Sequence, residues 1–391
     1  MRAATTPVEI HGAVAEGFEA VRTAFAANFV AEQAVPDVGA SFAVIRGDDV
    51  VVDLWAGDAK PGTAWTAASL TNVFSTSKGV ASACLALLVS RGELDYAAKV
   101  ARYWPQFGAA GKADITVDQL LSHQAGLSGV RAKTTVEDLY DWELMVDRLA
   151  RAEPLWAPGS TAGYHAITWG YLAGELVRRI DGRTLGKFLG DELTGPLGAD
   201  VFIGLPEAED GRFAPMLRPP GEQTQSLAEM SEILALTLSN PTIDAEIPNQ
   251  RAWRAAEIPA AGACANALGL ARLYAPLAND GVFLGRRFFE PGVVAQAVRE
   301  RFAGTDINLG VPVRWGAGFF GNNPEHWYGP NAGAWGHSGW GGSCAFFDPS
   351  ERLSVAFAMN QMDANLHGDP RTRRLVDALY QCAGLEREAG R

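Results

Sequence analysis

The chain has 391 residues, 48% hydrophobic and 20% charged, which excludes disordered and fibrous classes and leaves room for one large core or two domains sharing an interface. A net charge of −12 and a pI near 5.1, with no Lys/Arg run denser than RTRR at 371–374, argue against a nucleic-acid or anionic-membrane binder; RTRR itself reads as a solvated helix face. The first residues lack a continuous apolar stretch and no apolar run approaches the ~18 residues of a membrane span, so a soluble, cytoplasmic protein is expected.

In chain order, Ala13–Ala27 patterns as an amphipathic helix, and residues 40–59 as two β-rich runs joined across Gly47-Asp48-Asp49, a hairpin. Two early antiparallel strands count against a doubly wound parallel sheet. Residues 73–94 read as an apolar helix with Ser75 near its start and Gly92 at its close. The stretch from about 105 to 250 is mainly helical in pattern, with 205–254 irregular apart from SLAEMSEILALTLS, as a loop or lid would be. The last third returns to strands, two β-rich runs turning at Asp348-Pro349-Ser350-Glu351, before a closing helix over 371–385. The expected fold is therefore α+β: an antiparallel sheet domain with flanking terminal helices from 1–105 and 255–391, and an inserted mainly helical domain at 106–254.

The chemistry starts at Ser75-Thr76-Ser77-Lys78. Of 33 Lys and Arg residues only six are lysine, and a lysine, unlike an arginine, can lose its proton when desolvated. One helical turn sets Ser75 and Lys78 on one face, where a neutral Lys78 could take the serine proton while a helix-start N–H stays free for an oxyanion. An N-cap serine beside a surface lysine makes the same pattern. Gly336-His337-Ser338-Gly339 opens a predicted strand whose glycines admit a ligand or a second backbone, and Tyr164 sits on a loop just before a helix, where a phenol can project into a cleft. A half-buried packed tyrosine and a structural histidine remain open for Tyr164 and His337. No serine has glycine both two before and two after it, which removes the α/β-hydrolase elbow. The six histidines form no metal pair and the four cysteines no metal or redox spacing, so no metal or cofactor is expected, and Cys84, Cys264, Cys344 and Cys382 read as buried free thiols.

In this order and spacing, NVFSTSKG, ITVDQLLSHQAGL, APGSTAGYHAITWGYLAGEL, PLGA, PAAGACANALGLARLYAPLANDG and GHSGWGGS resemble, over nearly the whole chain, the class C β-lactamase and penicillin-binding-protein superfamily, and within it the family VIII carboxylesterases. The resemblance implies a β-lactamase/DD-peptidase-like fold with the site between sheet and helical domain. It implies Ser75 as acylated nucleophile, Lys78 as proton partner, and Tyr164 as the tyrosine that helps activate the serine and protonates the leaving group. Backbone N–H groups of Ser75 and Trp340 would hold the oxyanion, and His337, Ser338, Gly339 and Trp340 would bind substrate, with His165 a neighbour. His123 is given a packing role.

Two departures bear on substrate. Ala166 stands where β-lactamases carry an asparagine for the substrate amide, and His337 stands where many carry a lysine for the carboxylate. Both fit an esterase acting on short-chain acyl esters. The alternatives on the same site are a β-lactamase, a D-amino-acid peptidase or amidase, or an acyltransferase; a non-catalytic binding protein would be a different class, against which Ser75, Lys78 and Tyr164 speak together. Trp253, Phe319, Trp327 and Tyr328 are aromatic candidates for the acyl pocket.

Overall fold

The computed structural model describes residues 8–30, 32–221, 230–365 and 368–384. The hairpin predicted across Gly47 forms, with strands β2 (Gly39–Arg46) and β3 (Asp49–Lys60) paired antiparallel. The region predicted as one helix from Ala13 to Ala27 instead holds strand β1 (Ile10–Val14) and helix α1 (Glu19–Ala27). The reason is glycine. Gly12 has φ +89 and lies so close to β3 that a Cβ would sit 2.0 Å from the Asp53 carbonyl oxygen, and Gly17 at φ +88 turns the chain before α1 can start.

Apart from the two-residue strand Thr63–Ala64, which folds back on the end of β3, the remaining strands of this sheet come from the far end of the sequence: β4 (Phe302–Thr305), β5 (Pro312–Trp315), β6 (Phe320–Gly321), β7 (Trp335–Ser338), β8 (Cys344–Asp348) and β9 (Leu353–Met359). Their spatial order is β1-β3-β2-β9-β8-β7-β6-β5-β4, antiparallel throughout, so β2 from the first sixty residues pairs β9 from the last forty. The predicted turn at 348–351 joins β8 to β9. The first of the two predicted runs, however, is itself two strands, β7 and β8, parted by a tight turn in which Gly341 (φ +95) and Gly342 (φ +122) take left-handed conformations.

Helix α2 (Ser77–Ser90) is apolar almost all round and correspondingly buried over twelve of its fourteen residues, from Ser77 to Leu88. It packs against β7 on one side and against α4 (Thr168–Asp181) on the other; α4 in turn packs against α3 (Trp142–Arg151). Helix α5 (Ala267–Ala278) covers β2, β8 and β9, while α1 packs on the closing helix α6 (Pro370–Cys382). Alternation along β8 separates these layers: Phe347 meets Tyr274 of α5, whereas the next residue, Asp348, accepts a hydrogen bond from Tyr380 of α6.

Two further expectations change. The basic cluster at 371–374 is only in part a solvated face: Arg373 is exposed, but Arg371 is buried, its guanidinium donating to Asp37 (2.8 Å) and Asp369 (2.6 Å). Two carboxylates share one guanidinium away from water, and Asp37 is pushed up to about 7, chiefly by burial. Within 205–254, residues 207–212, 247–249 and 251–254 are helical besides the expected 232–238, and 222–229 fall outside the described residues. Cys84, Cys264 and Cys344 are buried free thiols, and Cys382 is half-buried.

Candidate active site

Ser75 sits in a single 3-10 turn, Phe74–Thr76, that runs into α2. The turn is strained: Phe74 has φ +40, a left-handed backbone that costs a bulky residue of order 1–3 kcal/mol and persists only when its surroundings impose it. Those surroundings are visible. Ser77 Oγ accepts from Ala263 N (2.9 Å), and Ser343 Oγ, in the β7–β8 turn, donates to Val73 O (2.8 Å) and pairs with Thr76 Oγ1 (3.1 Å).

One turn into α2, Lys78 Nζ lies 3.3 Å from Ser75 Oγ, 2.8 Å from Ala166 O and 3.1 Å from Ala260 O. Lys78 is fully buried and, among the described residues, pairs with no carboxylate; burial alone holds its amine well below the usual lysine range. From the loop before α4, Tyr164 Oη donates to Ser75 Oγ at 2.7 Å. Burial raises the Tyr164 phenol above its ordinary value, against the smaller lowering effect of that hydrogen bond, so the tyrosine keeps its proton. The structure thus brings Ser75, Lys78 and Tyr164 together on one oxygen.

A second buried lysine supplies a comparison. Lys112 Nζ donates to the carbonyls of Ala109 (2.9 Å), Ala150 (3.0 Å) and Ala152, three acceptors for the three protons of an ammonium, with no hydroxyl among these partners. Around Lys78 there are two carbonyls, which can only accept, and one hydroxyl. The other four lysines, Lys60, Lys99, Lys133 and Lys187, are exposed.

His337, Ser338, Gly339 and Trp340 run along β7 and into its turn, facing Ser75. Gly339 has no room for a side chain: a Cβ would lie 2.2 Å from Val73 O. The Gly339 N–H closes the turn on Ser343 O (2.7 Å), whereas the next N–H, that of Trp340, has no acceptor among the described residues. Arg371 donates to Gly341 O (2.7 Å) and Thr372 to Gly342 O (2.9 Å), fixing the same turn from α6. His337 Nδ1 lies 2.8 Å from Ser338 O and so carries the ring proton, and burial draws the imidazole down to about 3. His337 is therefore neutral.

His165 is not where a substrate-binding residue would be. It is fully buried, with Nε2 accepting from Leu127 N (3.0 Å) and Nδ1 donating to Gly163 O (2.6 Å), so both ring nitrogens are spent bracing the loop behind Tyr164. His123 packs as expected, its ring 4.4 Å from Trp315 and its Nδ1 accepting from His165 N (3.0 Å). Of the aromatic candidates, Trp327 and Tyr328 line the pocket over Ser75, joined by Trp315, Phe320 and Trp340. Trp253 is buried, bonded to Asn72 (3.2 Å), and Phe319 packs beneath the sheet on Tyr274 and Phe347.

One residue escaped the sequence reading. Asp306 Oδ1 accepts from the backbone N–H groups of Tyr164 (2.9 Å), Asn308 (2.9 Å) and Leu309 (3.0 Å), and Asn308 Nδ2 donates to Tyr164 O (3.0 Å), so both backbone groups of Tyr164 are held. No local pattern links Asp306 to a loop 142 residues away.

Residues 24–380 match the Beta-lactamase family. The chain is 35% identical over 366 residues to the esterase/β-lactamase LipL of Mycobacterium tuberculosis, covering 90% of this chain and 83% of that protein. Among solved structures it is similar to a family VIII carboxylesterase (44% identity, TM-score 0.91, 96% of this chain and 100% of that one). It is also similar to a penicillin-binding-protein homologue from Caulobacter crescentus (42% identity, TM-score 0.90, the same coverage of 96% and 100%). The α+β fold is the β-lactamase/penicillin-binding-protein fold.

Proposed function

The chain belongs to the Beta-lactamase family, and on that premise we propose that it is a serine carboxylesterase hydrolysing short-chain acyl esters through an acyl-enzyme on Ser75. The observation that carries the reading is the meeting of Lys78 Nζ (3.3 Å) and Tyr164 Oη (2.7 Å) on Ser75 Oγ. A neutral amine has two N–H groups and one lone pair. The carbonyls of Ala166 and Ala260 take the two N–H groups, which leaves the lone pair for the Ser75 hydroxyl proton.

Ser75 Oγ attacks the ester carbonyl as its proton passes to Lys78, and the oxyanion lies between the N–H groups of Ser75 and Trp340. Collapse expels the alcohol, which takes the Tyr164 proton; the Lys78 ammonium returns a proton to the phenolate, so the amine is neutral again. Water then attacks the acyl-enzyme by the reverse roles, giving the acid and free Ser75.

The substrate class follows from what surrounds Ser75. A neutral His337 offers no cation to a carboxylate, Ala166 no side chain to an amide, and Leu309, Trp315, Phe320 and Trp327 make apolar walls. Short-chain p-nitrophenyl esters should therefore turn over at least ~100-fold faster in kcat/KM than nitrocefin or benzylpenicillin, about 2.7 kcal/mol in barrier. Equal efficiency on the β-lactams would promote the β-lactamase alternative. Ser75→Ala should remove both activities and the fluorophosphonate label, and activity surviving in that variant would refute the nucleophile.

A further inference from the structure

The space over Ser75 is not isolated. A second pocket lies against α6 and is bounded by Gly342, Asn365, Thr372 and Arg373. The two spaces share three residues as a common wall: Trp327, Tyr328 and Ser338. Ser338 belongs to β7. Tyr328 is a core residue, its ring stacked on Phe346 at 5.0 Å and its hydroxyl 3.2 Å from Ser338 Oγ. Trp327, the third, is buried in the same core. It stands on the connection between β6 and β7, directly after His326 at φ +55, and lines both pockets. On the nucleophile side the indole stacks on Phe320 (5.3 Å, 13° between planes); on the other, a Cβ on Gly368 would lie 3.5 Å from its Nε1. Nε1 donates to Glu325 Oε2 at 2.7 Å, which fixes the ring's rotation.

We propose that Trp327 is the specificity-determining residue that limits this site to esters with short limbs, by closing the nucleophile pocket off from the second pocket. The proposal rests on the esterase reading above and adds to it the residue that sets substrate size. With the indole in place, a limb extending from the Ser75 carbonyl meets the Trp327–Phe320 stack. Without it, the same limb runs on past Ser338, over the Tyr328 ring, to the mixed polar wall of Asn365, Thr372 and Arg373. The partition is steric, so another aromatic ring of similar reach serves and a small side chain does not.

The test uses the full chain as wild type, Trp327→Ala and Trp327→Phe, with Trp327→Leu taking the place of the alanine variant should that one not fold. Each is assayed on p-nitrophenyl acetate, butyrate and octanoate, and on ethyl and hexyl acetate, so that either limb of the ester can report. In the small-residue variant the kcat/KM ratio of the longest to the shortest ester should rise at least ~10-fold in one of the two series, the size expected when a hydrophobic wall is withdrawn from a chain of methylenes. In Trp327→Phe it should stay within about threefold of wild type. An unchanged ratio in both series overturns the proposal. So does a Trp327→Phe ratio that moves as far as the alanine one, which would trace the effect to the lost Glu325 bond and a loosened connection. The esterase reading itself fails on a different result, the absence of hydrolysis of any of these esters by wild type.

Discussion

Lys78 and Lys112 are both buried and both shifted down by burial, yet only Lys78 has a hydroxyl among its partners, and that difference makes its protonation state testable. If Lys78 must accept a proton, Lys78→Arg cannot serve, and both Lys78→Arg and Lys78→Ala should lower kcat/KM by at least ~100-fold with p-nitrophenyl butyrate; an arginine variant near wild type would leave only an electrostatic role. The sign of the pH effect follows. Acid protonates the amine, so kcat/KM should rise with pH through the depressed pKa of Lys78 and level off above it. In the unfolded chain the same lysine binds its proton at any pH below its ordinary range, so stability falls as pH drops toward the depressed value and then levels. Ser75, Lys78 and Tyr164 were legible because short motifs in a fixed order carry them. His165 was not: its neighbour Tyr164 faces the site, but the ring turns to Leu127 and Gly163, and no local pattern tells which way a loop side chain points. Asp306 was invisible for the same reason at longer range.

Helix α2 shows what an element's sequence carries and what it withholds. Its apolar spacing predicted a helix, while the fit against α5 is set by Gly79, where a Cβ would fall 1.7 Å from Tyr274 Oη. Gly79→Ala should cost about 1–3 kcal/mol by denaturant unfolding through overpacking. That hydroxyl has no hydrogen-bond partner among the described residues, so Tyr274→Phe should be close to neutral and should recover at least half of the loss in the double variant; no recovery would place the strain elsewhere. The closing helix misled in the opposite direction. RTRR looks like a charged surface, but Asp369 caps the helix by accepting from Arg371 N (2.7 Å) and, with Asp37, takes the Arg371 side chain inward, where it holds the turn carrying Trp340. A charge's partner across 334 residues cannot be read from its neighbours.

At the scale of the molecule, strands at both ends of the sequence with helices between them already implied one sheet built from the two ends, and β2 beside β9 is that sheet. The strands over 302–321 went unread because they are short and interrupted by Gly304, Gly310, Gly316 and Gly318. We propose the division into 1–105 with 255–391 and 106–254 as structural regions rather than independent folding units, because α2 lies between β7 and α4 and each region supplies part of the Ser75 environment. Esterase activity, tryptophan fluorescence and far-UV circular dichroism should therefore be lost in one coincident urea transition; two separated transitions would refute this. The scarcity of lysine has a practical side. Four ammonium groups, on Lys60, Lys99, Lys133 and Lys187, face solvent, and none lines the space over Ser75. An aldehyde- or epoxide-activated resin would thus grip this enzyme at a few places outside the space over Ser75, while the buried amine at Lys78 is shielded from the resin. Immobilised material should keep most of its fluorophosphonate-titratable serine, and a loss of titratable serine confined to the coupled fraction would mean that Lys78 had been reached.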